Sequence, residues 1–464
     1  MKTIFITMAD PMTVRNIFRT PFWSNFCQSQ QNTRIVVLVT PEKKDYYAKT
    51  FAQPNVVFES VTPEWTTRLS RVLGTIARSS VNSHTNLWSK MRSYLRGESS
   101  LFATTAKRLF TALIGNSDGF KALLRKAFLR LLPNAEVRRL FESYKPDMVI
   151  STYIVSFTFD IPISIEAKRR GIRVVGMTRS WDSLSSHGML RIIPDLLVTQ
   201  NVFLKNMALQ YQGFSKTKTP IEIIGLPHYD AYIDPTPLIE PREEFFRKIG
   251  LDPNKKLLLY GAMGDFLFPN EGRVAFVLED LIKNNLISHD VQVLYRAHPK
   301  FQSPLEKMRT LSHVLPDRGA TYHTKNMSSF EMEANDEKRL INSIYHADIV
   351  ITAGSTFAID AAALDKPIIC IGFDEKKDGV PYWESVERFY DSYTHFEALL
   401  ETQGVQISRS PSQLAQHINE YLSNPSKDRT GRRAIIDLLV APFDGRSSRR
   451  LTELLNREVS KLVS

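Results

Sequence analysis

Residues 347–374 read ADIVITAGSTFAIDAAALDKPIICIGFD, and the Gly354-Ser355-Thr356 turn inside them carries groups suited to an anion. Gly354 admits close backbone approach, Ser355 and Thr356 bring hydroxyls, and a helix starting there would point free N–H groups and the positive end of its dipole outward. A phosphate or diphosphate is the ligand such a turn holds best. Taken alone, Ser355 as a plain helix cap is the more economical account. Two neighbours add to the turn. YRAHPK at 295–300 sets Arg296 and His298 on one side of an extended segment that Pro299 stops. A guanidinium matches diphosphate oxygens and an imidazole shares a proton near neutral pH, although a structural role is the plainer reading of His298 by itself. Asp360, four residues past Thr356, would reach the ribose of a nucleotide resting on the turn, or would simply complement the helix dipole.

These groups need strands to place them. TIFIT, RIVVLV and NVVFESV alternate with helix-length segments at the start of the chain, and DMVIST, IRVVGMT, DLLVTQ and IEIIGLP resume the pattern from Asp147. After Pro227 a polar, Pro-containing passage reads as a linker, followed by KLLLYGAMG, VQVLYRAHP, ATYHTK, ADIVITAG and PIICIGF. Apolar runs alternating with helical segments predict parallel sheets with crossover helices. The expected architecture is α/β, with two Rossmann-like doubly wound domains facing a central cleft. Residues 1–228 form the first, 229–442 the second, and 443–464 a terminal helix packing back on the first. In such sheets ligands gather at the carboxyl ends of the strands, where the Gly354 turn falls.

Composition narrows the classes. A chain of 464 residues with 43% apolar residues holds two or three ordinary cores. Cys27 and Cys370 lie far apart, which argues against a disulfide framework or a cysteine zinc site. MKTIFITMADPMTVR lacks the features of an export signal, and no apolar run reaches the roughly 18 residues of a membrane span, so a soluble or peripheral protein is expected. The net charge of +11 is concentrated: residues 65–132 hold twelve Lys or Arg against Glu98 and Asp118. This basic, helix-patterned stretch inserts between the third and fourth strand runs. Within it, GFKALLRKAFLRLL sets Phe120, Leu123, Leu124, Phe128 and Leu131 against Lys121, Arg125, Lys126 and Arg130. Such a helix suits an anionic membrane surface, and packing on the protein's own core is the competing expectation.

RAHP, then ADIVITAGSTFAIDAAALDKPIICIGF some fifty residues on, then FDGRSSRRLTELL at 443–455, resemble the carboxyl half of GT-B-fold nucleotide-diphosphate-dependent transferases. The similarity is greatest to bacterial surface-carbohydrate glycosyltransferases and to CDP-glycerol glycerophosphotransferases. SWDSLSSHG at 180–188, PDLLVTQNVFLKNMA and IIGLPHYD are similar to the end of the first domain in the surface-carbohydrate group. The likeness spans roughly residues 147–455 and omits the basic insert. It implies that Arg296 and His298 face the donor phosphates, that Gly354, Ser355 and Thr356 cradle them, and that Asp360 meets the ribose. ITAGS replaces the acidic-aromatic sequence usual before this turn in the glycerophosphotransferases, which favours a sugar donor over a polyol phosphate.

Such transfer requires a base for the acceptor hydroxyl and neutralisation of the leaving diphosphate. Asp182 and His187, then Asp10 after the first strand, are the candidates for the base, each with turn or cap chemistry as its simpler account. No Asp-x-Asp pair occurs, so a metal-independent reaction with no cofactor is expected, and inversion is the expected outcome. The expected partners are a nucleotide-sugar donor, a glycan or lipid-linked acceptor and the inner face of the cytoplasmic membrane, without nucleic acid. Alternatives are a CDP-glycerol-type polyol-phosphate transferase, a UDP-sugar 2-epimerase, and a non-catalytic basic protein that binds membrane or nucleic acid.

Overall fold

The computed structural model describes residues 1–63, 67–155, 159–301, 303–322, 330–374 and 380–462. The chain forms two compact units, Met1–Asp230 with Leu439–Ser464, and Ala231–Leu438. The first contains seven parallel strands: β1 (Lys2–Thr7), β2 (Thr33–Val39), β3 (Val56–Ser60), β4 (Met148–Ser151), β5 (Arg173–Met177), β6 (Leu196–Thr199) and β7 (Ile221–Ile223). Their order is β3-β2-β1-β4-β5-β6-β7. β1, β2 and β4 are buried almost throughout, as near-continuous apolar runs covered on both faces require.

The second unit holds β8 (Lys256–Gly261), β9 (Val291–Arg296), β10 (Val314–Asp317), β11 (Thr321–Tyr322), β12 (Phe330–Glu331), β13 (Ile349–Thr352), β14 (Ile368–Ile371) and β15 (Gln406–Ser408). Six of them make a parallel sheet in the order β10-β9-β8-β13-β14-β15. ATYHTK does not enter it. Its described part, β11, pairs antiparallel with β12, and residues 323–325 lie outside the described residues. The edges are instead the four-residue β10, which contains Pro316, and the three-residue β15, both too short to show a period of two. In each sheet the strand order reverses once, at β1/β4 and at β8/β13, and the carboxyl edge of such a switch point is where a doubly wound fold opens for a ligand.

Between β3 and β4 the basic insert forms four helices, Arg68–Ser79, His84–Leu95, Leu101–Ile114 and Asp118–Leu131. Thr67, Ser83, Ser100 and Ser117 each accept a backbone N–H at the start of one of them, so the sequence punctuates this segment cleanly. The Asp118–Leu131 helix does not present all four of its expected cations to solvent. Lys121 and Arg125 are buried, while Lys126 and Arg130 are exposed. Arg125 is drawn inward by carbonyls, donating from Nε to Leu190 O (3.0 Å) and from Nη2 to Gln212 O (2.7 Å). Lys121 Nζ sits 3.9 Å from Asp118, and burial lowers its pKa to about 8. Leu123 and Leu131 take the outward positions.

The terminal helix Ser447–Ser460 belongs to the first unit. Its Leu451, Leu454, Leu455 and Val459 join a core cluster with Ile4, Ile6, Trp23 and Phe26. The Asp230 carboxylate accepts the N–H groups of Ser447 (2.8 Å) and Ser448 (2.7 Å), and Arg173 Nε donates to Glu458 (2.6 Å).

Candidate active site

The carboxyl edge of the first sheet collects Asp10, Asp182 and His187, the three candidate bases, around two side chains that the sequence did not single out. Asp10 follows β1 and caps the short Pro11–Thr13 helix, its Oδ1 accepting Met12 N (3.0 Å) and Thr13 N (3.2 Å). Its Oδ2 accepts Arg179 Nη1 at 2.6 Å. The Arg179 guanidinium in turn lies over the Tyr153 ring, 4.0 Å from its centroid. Tyr153 Oη stands 3.4 Å from His187 Nε2, and Asp182 Oδ2 stands 3.7 Å from the same nitrogen. Burial works against the Arg179 charge, but Asp10, Tyr153 and Asp182 together raise its pKa. Burial first raises the Tyr153 pKa, so its hydroxyl keeps its proton. His187 and Asp182 are partly exposed, open to a ligand.

Beneath this cluster lies Asp160, fully buried at the start of the helix after β4. Its Oδ1 accepts from Thr7 Oγ1, Ser151 Oγ (2.9 Å) and Tyr153 N (3.1 Å), tying the ends of β1 and β4 together. Burial raises its pKa to about 6 against the opposing pull of those hydrogen bonds. The segment from Asp182 to Leu190 is held as firmly. Gln212 accepts Leu190 N (2.7 Å) and donates to Leu184 O (2.7 Å) and Gly188 O (3.1 Å), and Ser83 of the insert donates to Ser185 O (2.6 Å). Gly188 has φ +81°, and a Cβ there would fall 2.5 Å from Arg78 Cα, so only glycine lets the insert approach this loop. Arg125, through Leu190 O and Gln212 O, helps hold the loop that carries His187.

In the second unit the Gly354 turn leaves β13, and its register opposite Gly261 places it beside the loop after β8. Gly354 adopts φ +71°, and a Cβ would meet Phe396 at 2.7 Å. Ser355 Oγ accepts Phe357 N (3.2 Å) and lies 3.0 Å from Thr352 Oγ1, while Thr356, at the N-cap, makes no side-chain cap bond. Thr356 is exposed. Two expectations change here. Arg296 does not point out of the sheet edge: it is buried, donating to Asp317 Oδ2 (2.7 Å) and Gly319 O (2.6 Å), because β10 offers a carboxylate beside it. Asp360 is buried in the first turn of its helix rather than exposed. His298 Nδ1 accepts Lys300 N at 3.0 Å, which leaves its proton on Nε2. Burial, with Lys300 adding, lowers its pKa to about 4, so it is a neutral donor at pH 7.

The loop after β8 adds an unforeseen feature. Glu271, fully buried, accepts Met263 N (2.7 Å), Gly264 N and Tyr260 Oη (3.0 Å), and burial raises its pKa to about 7. This carboxyl fixes a loop that holds the Phe266 ring outward, 61% exposed. Phe266 stacks on Phe301 at 5.5 Å and 17°, and Phe301 stacks on His298 at 4.8 Å and 29°. Periodicity could not reveal Tyr153, Arg179, Glu271 or Phe266, since all lie in loops; their places just after strand runs were the available signal. Among the described residues no cluster of His, Cys, Asp or Glu could hold a metal ion.

A family model described as CDP-Glycerol:Poly(glycerophosphate) glycerophosphotransferase matches residues 191–457. The chain belongs to this family. The match to the glycerophosphotransferase family includes His298, the Gly354 turn and Phe266, and begins after Asp10, Asp182 and His187. No curated protein matches the chain in sequence. Among solved structures it is similar to a putative UDP-N-acetylglucosamine 2-epimerase from Listeria monocytogenes, with TM-score 0.54, 11% identity and coverage of 99% of this chain and 98% of that one. The UDP-GlcNAc 2-epimerase from Neisseria meningitidis bound to UDP-GlcNAc gives 0.52, 12%, 98% and 100%. The calicheamicin glycosyltransferase CalG4 gives 0.51, 13%, 100% and 100%. These likenesses establish a GT-B-type fold of two Rossmann-like sheets.

Proposed function

We propose that the protein transfers a sugar from a nucleotide-diphosphate donor to a hydroxyl of a cell-surface glycan or lipid-linked acceptor, with inversion, without a metal, and at the inner face of the cytoplasmic membrane. The arrangement of Asp182, His187 and Tyr153 at the carboxyl edge of the first sheet carries this reading. With Nε2–H turned to Asp182 and Tyr153, His187 takes the proton of the acceptor hydroxyl on Nδ1 as that oxygen bonds to the anomeric carbon and the bond from the carbon to the diphosphate breaks. Asp182, near Nε2, stabilises the imidazolium that results, and Tyr153 fixes the ring. Arg179 and Asp10 hold the Tyr153 face in place. In the second unit the Ser355 and Thr356 turn and the Nε2–H of His298 are the groups for the donor phosphates. The exposed face of Phe266 is a stacking surface for its base.

Membership of the glycerophosphotransferase family favours a second reading, in which a polyol phosphate is passed from a CDP-linked donor and the same groups act. A 2-epimerase would need no acceptor. A thermal-shift screen against UDP-, GDP-, dTDP- and CDP-linked donors, followed by product analysis with and without a glycan acceptor, separates the three. Stabilisation by one nucleotide class, weakened in Thr356→Ala and Phe266→Ala, supports the donor site. The absence of any shift would overturn it.

A further inference from the structure

The Leu101–Ile114 helix of the basic insert is turned inside out. Its outward stripe is Leu101 (60% exposed), Phe102 (85%), Ala106, Leu109 (57%), Ala112 and Leu113 (80%). Its buried positions are threonines: Thr111 Oγ1 donates to Ser79 O (2.8 Å) and Thr104 Oγ1 to Ser99 Oγ (3.1 Å). A helix of a globular protein ordinarily does the reverse, and a contiguous exposed apolar stripe marks a surface that works covered. Phe110 meets Phe120 at 5.5 Å, so the neighbouring helix Asp118–Leu131 continues this surface with exposed Leu123, Lys126 and Arg130.

The electrostatics select what covers it. The two acids of residues 65–132 already stand beside cations, Glu98 at 3.8 Å from Arg96 and Asp118 at 3.9 Å from Lys121. Burial, and then the like charges of Lys107, Arg108 and Arg78, lower the Lys90 pKa to about 8. Lys107 and Arg108 lie on the inverted helix itself, so its apolar stripe is flanked by cations crowded against one another. A second copy would bring the same positive charge to the contact and be repelled. A nucleic acid would answer the charge and leave Phe102, Leu109 and Leu113 in water. Anionic lipid answers both, with phosphates over the cations and acyl chains under the leucines.

We propose that the Leu101–Ile114 helix lies in an anionic bilayer surface, inserting Phe102, Leu109 and Leu113, with Lys126 and Arg130 of the next helix against the headgroups. This deepens the proposed function by naming the surface at which the first unit works, and it replaces the four-cation face expected from the sequence. The test is flotation of the full chain with vesicles of phosphatidylcholine containing about one-third phosphatidylglycerol, compared with phosphatidylcholine alone. The wild type floats with the anionic vesicles. Phe102→Ser combined with Leu113→Ser weakens binding at least about tenfold while the melting temperature stays at the wild-type value, because both side chains already face water. Lys126→Glu with Arg130→Glu also weakens it, and the gap to the wild type widens as salt is lowered. A wild type that stays unbound, or a double-serine variant that floats undiminished, overturns the proposal. Self-association abolished by the serine pair, without vesicle binding, assigns the stripe to a second copy instead. None of these readings needs a donor, so a failure here leaves the nucleotide screen untouched, and the reverse holds.

Discussion

Arg179 donates to Asp10 at 2.6 Å while its guanidinium plane covers the Tyr153 ring at 4.0 Å. One side chain thus joins the loops after β1, β4 and β5, and the two contacts should be energetically coupled. Replacing Arg179 by Lys keeps the charge but removes the planar fork that serves both. A double-mutant cycle of Arg179→Lys and Tyr153→Leu, read by denaturant unfolding, should show a coupling of about 1 kcal/mol.

His187→Gln should lower turnover by about two to four orders of magnitude while nucleotide binding changes less than about twofold, since the base acts on the acceptor. Asp182→Asn, which removes only the charge beside Nε2, should cost less, about tenfold. Stopped reactions analysed for product, beside calorimetric titration of nucleotide, check both. Equal loss in binding and turnover would mark the pair as structural.

Asp160 predicts a pH dependence of stability with a definite sign. Its folded pKa of about 6 exceeds the ordinary value of 3.8, so the folded state binds the extra proton and stability falls as pH rises between about 4 and 6. The contribution is about 3 kcal/mol, fully present below pH 4 and absent above pH 6. Urea unfolding of the wild type against Asp160→Asn, whose amide does not titrate, should show the wild type losing ground over that window and running parallel above it. A gap constant from pH 4 to 7 would place Asp160 among ordinary carboxylates.

Phe266→Ala should weaken nucleotide binding by about 1–2 kcal/mol, the scale of one lost aromatic stack, with little effect on unfolding because the ring is mostly exposed. Calorimetric titration with the nucleoside monophosphate and with ribose phosphate separates stacking from phosphate contacts. Only the former should respond.

The sequence disclosed the strands of both sheets where burial is two-sided, because runs such as RIVVLV and VQVLY admit few other readings. The insert read only as one helix-patterned stretch; its four helix starts, capped by Thr67, Ser83, Ser100 and Ser117, emerged with the structure. What it could not show was the direction in which polar side chains turn. Arg125 and Arg296 look like surface cations in one dimension, yet carbonyls of Leu190 and Gln212, and the carboxylate of Asp317, capture them inside. The Leu101–Ile114 helix runs in the opposite sense, with leucines on its outer face and threonines on its inner one. Asp10, Asp182 and His187 were visible as loop residues after strands. Their common neighbour Tyr153 depends on how three separate loops converge.

The return of Leu439–Ser464 to the first unit governs the order in which the protein can be completed during synthesis. Leu451, Leu454, Leu455 and Val459 fill a core that Ile4, Ile6 and Trp23 begin. That core stays unfinished until more than 200 intervening residues have been made and the Ser447–Ser460 helix has cleared the ribosome. The second unit, continuous in the chain, can fold in the meantime. The nascent first unit therefore waits with an open apolar flank, and chain terminations near residue 440 should be cleared by proteases through damage to the first unit.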